Sequence, residues 1–106
     1  MIEPESEIFR ALADPTRRAV YQRLARREMS VSEVRRGLEI SQPAVSQHLA
    51  VLRGAGLVSE RREGRFSYYR TEPAGLAPLI DWVARYQAFR PERVERLKEV
   101  LKEMDQ

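Results

Sequence analysis

Between residues 41 and 56 the apolar positions recur with a helical period, and the segment has sharp ends. Val45, Leu49 and Leu52 stand at i, i+4 and i+7 and make one apolar stripe. Gln42, Ser46 and Gln47 lie off that stripe. Ser41 is placed as an N-cap whose hydroxyl can accept a first-turn N–H. Pro43 is tolerated there because first-turn N–H groups have no intrahelical partner. Gly56 supplies the left-handed residue that closes a helix. Upstream, Ser30-Val-Ser-Glu33 has capping-box spacing and opens a second short helix through Leu38. Only Glu39-Ile40 separates it from Ser41. Two short helices so closely joined predict a helix-turn-helix over about 30–56. Downstream, residues 58–62 and 66–71 are two β-prone runs around Glu63-Gly64, a hairpin signal. A helix-turn-helix followed by a basic hairpin, the wing at about 57–71, is a winged helix.

The remaining pattern supplies scaffold. Residues 5–13 form a short amphipathic helix using Ile8, Phe9 and Leu12. Asp14 caps a further helix with Pro15 at its first position, running to about Arg27 and burying Val20, Tyr21 and Leu24. Residues 29–31 are expected to add a short strand beside the wing. Pro73 and Pro78 bracket the entry to a long helix ending near Phe89. It carries two stripes, Leu76, Leu79, Ile80 and Val83 on one side, Trp82, Tyr86 and Phe89 on the other. A helix of a small domain normally buries one stripe. Two predict one face for the chain's own core and one for a partner. Pro91 starts a last helix with Val94, Leu97, Leu101 and Met104 in a–d spacing. This helix can pack across a dimer or fold back on its own chain; the excess apolar surface favours dimerisation.

Several segments together resemble the ArsR/SmtB family of bacterial winged-helix repressors. They are Ala11-Leu-Ala-Asp-Pro-Thr-Arg-Arg18, Ser41-Gln-Pro-Ala-Val-Ser-Gln-His-Leu49, Leu52-Arg-Gly-Ala-Gly-Leu-Val58, and Arg62-Glu-Gly-Arg65 with Tyr69, in the family's order and spacing. The likeness covers most of residues 8–71; the C-terminal helix matches more loosely. It implies homodimerisation, operator binding and repression. The fold expected is mainly α with a small β-hairpin: one winged helix-turn-helix domain over 1–106, with helical dimerisation elements at both ends, the C-terminal ones at about 73–104. The expected dimer interface is Ile8, Phe9, Leu12, Leu79, Trp82, Val83, Tyr86 and Phe89.

Charge sharpens the picture. The net charge is only +3, but residues 10–70 carry thirteen Arg against six acids. The excess sits on the part expected at DNA, where it would neutralise phosphates and release counterions. Arg17, Arg18, Arg26, Arg27, Arg35 and Arg36 fit solvation of helix faces. Arg61, Arg62 and Arg65 flank a hairpin tip, where no helix face needs solvating. Amides and hydroxyls near a helix N-terminus are the groups that read base edges in a major groove. The expected DNA-binding set is therefore Ser41, Gln42, Pro43, Ser46, Gln47, His48, Arg53, Arg61, Arg62 and Arg65. Gln42, Ser46 and Gln47 would touch bases, and the wing arginines phosphates or the minor groove. His48 is expected to pack at the helix edge and make one phosphate or backbone hydrogen bond. Of Tyr68 and Tyr69, the family pattern puts Tyr69 in the core.

The partners expected are double-stranded DNA and a second copy of the chain, with no cofactor and no metal. The family's metal sensors often carry Cys-x-Cys where this chain has Ser30-Val31-Ser32, and others use His on the long C-terminal helix. With no Cys and His48 alone, the ligands that zinc, cadmium or arsenite want are missing. The likeness is to the branch that does not sense metal; an inducer, if one acts, is undefined. No catalytic constellation appears, which argues against an enzyme. No apolar run is long enough to span a membrane and the N-terminus is acidic, so the cytoplasm is expected. The competing function is a winged helix used for protein–protein contacts, which would need neither the basic tip nor the polar face of residues 42–47.

Overall fold

The computed structural model describes residues 3–86 and 91–104. Its elements are α1 (Pro4–Ala13), α2 (Pro15–Leu24), β1 (Met29–Ser30), α3 (Val31–Arg35), α4 (Gln42–Gly54), β2 (Val58–Glu63), β3 (Phe66–Thr71), a 3₁₀ turn (Pro73–Leu76), α5 (Ala77–Ala84) and α6 (Pro91–Met104). The fold is mainly helical, with a small antiparallel sheet in the order β1-β3-β2. The wing is thus a hairpin with a third strand on its edge, Met29 opposite Tyr69 and Ser30 opposite Tyr68.

The core sits where α1, α2, α3 and α4 meet the base of the wing. Val20, Val34, Val45, Leu49, Leu52 and Leu57 are fully buried there. Burying each such side chain contributes about 1.5–3 kcal/mol relative to leaving it exposed. Tyr69, with Leu12, Tyr21, Leu76 and Leu79, packs against the rim of this cluster.

Caps fix the helix starts. The Asp14 side chain accepts the Arg17 N–H at 3.0 Å and starts α2. Ser41 Oγ accepts the Ala44 N–H at 3.2 Å and starts α4. At α3 both halves of the capping box are made: Ser30 Oγ accepts the Glu33 N–H, and Glu33 Oε1 accepts the Ser30 N–H at 3.0 Å. That N–H, followed by the Arg27 guanidinium, holds the Glu33 carboxyl down at about 2, well below its ordinary 4.5. A depressed carboxyl stabilises the fold above its unfolded value and loses that contribution as pH falls through its folded one. Thermal melts between pH 4.5 and 2 should therefore show a steeper fall for the native chain than for Glu33→Gln, whose amide keeps the cap but does not titrate. Equal slopes would remove Glu33 from the acid response.

Three boundaries differ from the sequence pattern. α2 ends at Leu24 rather than near Arg27, because the ladder tightens there and the Arg26 N–H turns back to the Arg23 carbonyl. α3 stops at Arg35, two residues before Gly37, whose φ of +86° reverses the chain. α5 ends at Ala84, not near Phe89, with the Arg85 and Tyr86 N–H groups bonding back three residues to Trp82 and Val83. Phe89 lies outside the described residues. Ile80, placed above on one stripe with Leu76, Leu79 and Val83, is 59% exposed, whereas Leu76 and Leu79 pack against the core.

Candidate nucleic-acid interface

One face of α4 is committed to the core and the other is open. Val45, Leu49 and Leu52 are buried, while Ser41, Gln42, Pro43, Ser46 and Gln47 are exposed. The four polar side chains among these are two amides and two hydroxyls, able to donate and to accept. His48 is half-buried, and its Nδ1 is sealed from solvent with no hydrogen-bond partner. Of the phosphate or backbone hydrogen bond expected of it, the backbone one is not made at Nδ1.

Ion pairs tie the wing to α4 and to the segment just before β1. Arg53, near the end of α4, bonds Glu60 of β2 at 2.9 Å. Glu60 also accepts the Tyr69 hydroxyl at 3.2 Å. The Ser67 and Tyr69 hydroxyls, then the charges of Arg53 and Arg62, hold the Glu60 carboxyl below its ordinary value against the opposing effect of burial. On the other face of the hairpin Arg61 reaches Glu28 and Glu63, each at 2.7 Å, and its guanidinium lies 4.9 Å from the centre of the Tyr68 ring. Arg61 keeps Glu28 below the ordinary carboxylate range. Two of the four arginines expected at DNA, Arg53 and Arg61, are therefore already paired within the chain. Arg62 and Arg65 are exposed near the tip. The tip is a two-residue turn, Gly64-Arg65, between the paired Glu63 and Phe66. Gly64 has φ +60° while Arg65 does not have positive φ, so a side chain at 64 would be strained and one at 65 is free to project.

Likenesses to known proteins converge on this arrangement. A family model described as a helix-turn-helix domain matches residues 12–61. The HTH-type transcriptional regulator Rv2034 of Mycobacterium tuberculosis is 51% identical over 71 residues, 67% of this chain and 66% of its own length. About a third of that relative lies outside the match. The transcriptional repressor SdpR of Bacillus subtilis is 32% identical over 81 residues, covering 76% of this chain and 90% of the relative. An ArsR-like transcriptional regulator from a Rhodococcus species superposes with a TM-score of 0.72 at 30% identity, over 92% of both chains. The chain belongs to the ArsR family of winged-helix transcriptional regulators.

In this ArsR-family chain the surface assigned to a dimer divides in two. Ile8 is 1% exposed and belongs to the core, so it is not available to a partner. The helical period put it on the right face, but α1 packs that edge inward against the winged helix. Leu12 and Leu79 sit at the rim of the core. Phe9, 44% exposed, meets Trp82 edge-on at 5.1 Å, and Trp82 meets Tyr86 at 5.0 Å. An aromatic ladder thus runs across α1 and α5 on the outside of the chain, with half-buried Val83 nearby in sequence. On α6, Leu97, Leu101 and Met104 are at least half exposed, so that stripe does not fold back into the core.

Several arginines do more than solvate. Arg17 Nε donates to the Ala11 carbonyl at 2.6 Å, and Arg18 donates to the Leu12 and Ala13 carbonyls. Both satisfy the orphan acceptors at the end of α1. Arg35 donates to the Ile40 carbonyl at 2.9 Å and ties the turn between α3 and α4. The local pattern shows a charge but not the carbonyl five or six residues away that it reaches.

Proposed function

We propose that the chain is a homodimeric repressor that reads an inverted-repeat operator, with α4 in the major groove and the wing against the flanking backbone and minor groove. The observation that carries this is the open face of α4, Gln42, Ser46 and Gln47, standing beside a wing tip that presents Arg62 and Arg65. Gln42, Ser46 and Gln47 are the base readers. Ser41, Pro43 and His48 lie along the first turns of the same helix and contact the strand beside it. Arg62 and Arg65 take phosphates. Arg53 and Arg61 hold the wing in place, and their exposed ion pairs are weak enough to exchange for DNA. The repressor name of one relative supports repression as the output.

The dimer would form through Phe9, Trp82, Val83 and Tyr86 together with Leu12 and Leu79, since this exposed aromatic surface is what a two-fold partner can cover. Such symmetry sets two recognition helices about 34 Å apart, or a multiple of that. The chain's lack of cysteine and its single histidine support a repressor that does not sense metal. Among the described residues no helix is long and apolar enough to cross a membrane, which is compatible with action on DNA in the cytoplasm.

Gel shift on selected duplexes, with sedimentation of the free chain and of the complex, tests the proposal. Gln47→Ala should cost about 1–3 kcal/mol on the operator and relax specificity at one position. Arg65→Ala should weaken all sequences alike and flatten the salt dependence by about one unit. A chain that retards no duplex would favour the protein–protein reading. A complex holding one copy per site would overturn the dimer.

A further inference from the structure

A notch of about 340 Å³ separates the first turn of α4 from the tip of the wing. It is lined by Gln42 of α4, by the start of α3 with Ser32, and by Arg65, Phe66 and Ser67 of the wing. We propose that this notch seats the DNA phosphate that divides the two grooves, with Ser32 as the donor that grips it. The inference rests on the winged-helix reading above and adds to it a residue outside the expected DNA-binding set.

Adjacent major and minor grooves are divided by one sugar–phosphate strand. A protein with α4 in the first and its wing tip in the second must straddle that strand. The notch is the gap between those two elements, so the strand passes over it. The chemistry of the lining suits an anion. Gln42, Ser32 and Arg65 all carry donors, and Arg65 adds a charge. None of the residues that line the notch is a carboxylate. The nearest acid on α3, Glu33, is turned away into bonds with the Ser30 N–H and with Arg27. Ser32 and Ser67 both bring hydroxyls to the lining, and Ser32 is the one with a second hydroxyl behind it, Ser30 Oγ at 3.3 Å.

Ser32 is also prepared for the role. Ser30 Oγ accepts the Glu33 N–H at 3.3 Å and lies 3.3 Å from Ser32 Oγ. Either hydroxyl could donate to the other. A phosphate only accepts, so its arrival selects one order: the Glu33 N–H to Ser30, Ser30 to Ser32, and Ser32 to the phosphate. Each donation in such a chain polarises the next. The capping box that starts α3 thereby becomes the base of a DNA contact.

The test uses the full chain and its Ser32→Ala and Ser32→Thr variants. Both variants keep Ser30 and Glu33, and unchanged melting temperatures would confirm that the cap survives loss of the Ser30–Ser32 contact. Ser32→Ala should bind the operator and a generic duplex about tenfold more weakly, as a lost bond to a charged group implies. The salt slope should stay the same, because no charge is removed. Ser32→Thr should bind like the native chain. A scan of single methylphosphonate linkages should find one per half-site, at the boundary of the two grooves, whose penalty shrinks in Ser32→Ala. Undiminished affinity in Ser32→Ala, or an undiminished penalty at that linkage, would overturn the assignment and leave the winged-helix reading standing. Failure of the native chain to retard any duplex would overturn both.

Discussion

Truncating Leu49 to alanine should destabilise the chain by about 2–5 kcal/mol, the range for emptying a fully packed leucine site. Leu49 is completely buried midway along α4, between Val45 and Leu52. α4 packs on α2, on α3 and on β2, so no single neighbour can move in to fill the space without disturbing two others. The upper part of the range follows from that confinement. A domain of this size has on the order of 5–15 kcal/mol in total, so the loss is a large share of it. Chemical denaturation at fixed temperature checks the value. The midpoint should fall while the slope with denaturant is kept, since the folded and unfolded surfaces are nearly the same. At low temperature, where the variant stays folded, the outward face of Gln42, Ser46 and Gln47 should still retard DNA. A loss under 1 kcal/mol would mean that α4 is not seated as described.

Leu49 was legible in the sequence because everything that places it is local. A cap at Ser41, a stripe at i, i+4, i+7 and a stop at Gly56 define α4 within sixteen residues, and the structure keeps all three. The capping box at Ser30 and the hairpin turn at Gly64 are local in the same way. The open side of α4 is the complement of its buried stripe, so the candidate base-reading face came with the helix.

What the pattern could not supply depends on residues far apart in the chain. Arg61 read as a free charge at a hairpin tip, yet its partner Glu28 is 33 positions away. The fate of Ile8 turned on which edge of α1 meets the winged helix, and a moment along one helix does not contain that. The end of α5 was overrun because Trp82, Tyr86 and Phe89 keep the period past the point where the backbone bonds tighten at Arg85. No glycine or proline stands at that point to mark it.

Gly75 is the clearest case of a residue that only the structure singles out, and Gly75→Ala should cost at least the upper part of the roughly 1–3 kcal/mol typical of overpacking. Gly75 lies in the 3₁₀ turn that follows the wing. A Cβ built there would run into the Gly56 carbonyl oxygen and come within 2.9 Å of its carbonyl carbon and 3.3 Å of the Leu57 Cα. All three are backbone atoms, so no side chain can rotate away. The two strands of backbone are also pinned together, the Glu72 N–H donating to the Leu57 carbonyl at 2.9 Å. Gly56 itself is held at φ +78° as the closing residue of α4. Relief must therefore come from shifting the 3₁₀ turn, and with it α5. That helix carries Trp82 against Phe9 of α1, the surface proposed to meet a second copy. Gly75→Ala should lower the melting temperature and weaken self-association together. Gly54→Ala, where a Cβ meets nothing within 4 Å, should do neither. If Gly75→Ala melted like the native chain, the close approach of the two glycines would be absent in solution. If it melted lower but dimerised as before, α5 would be held by the partner and not by this turn.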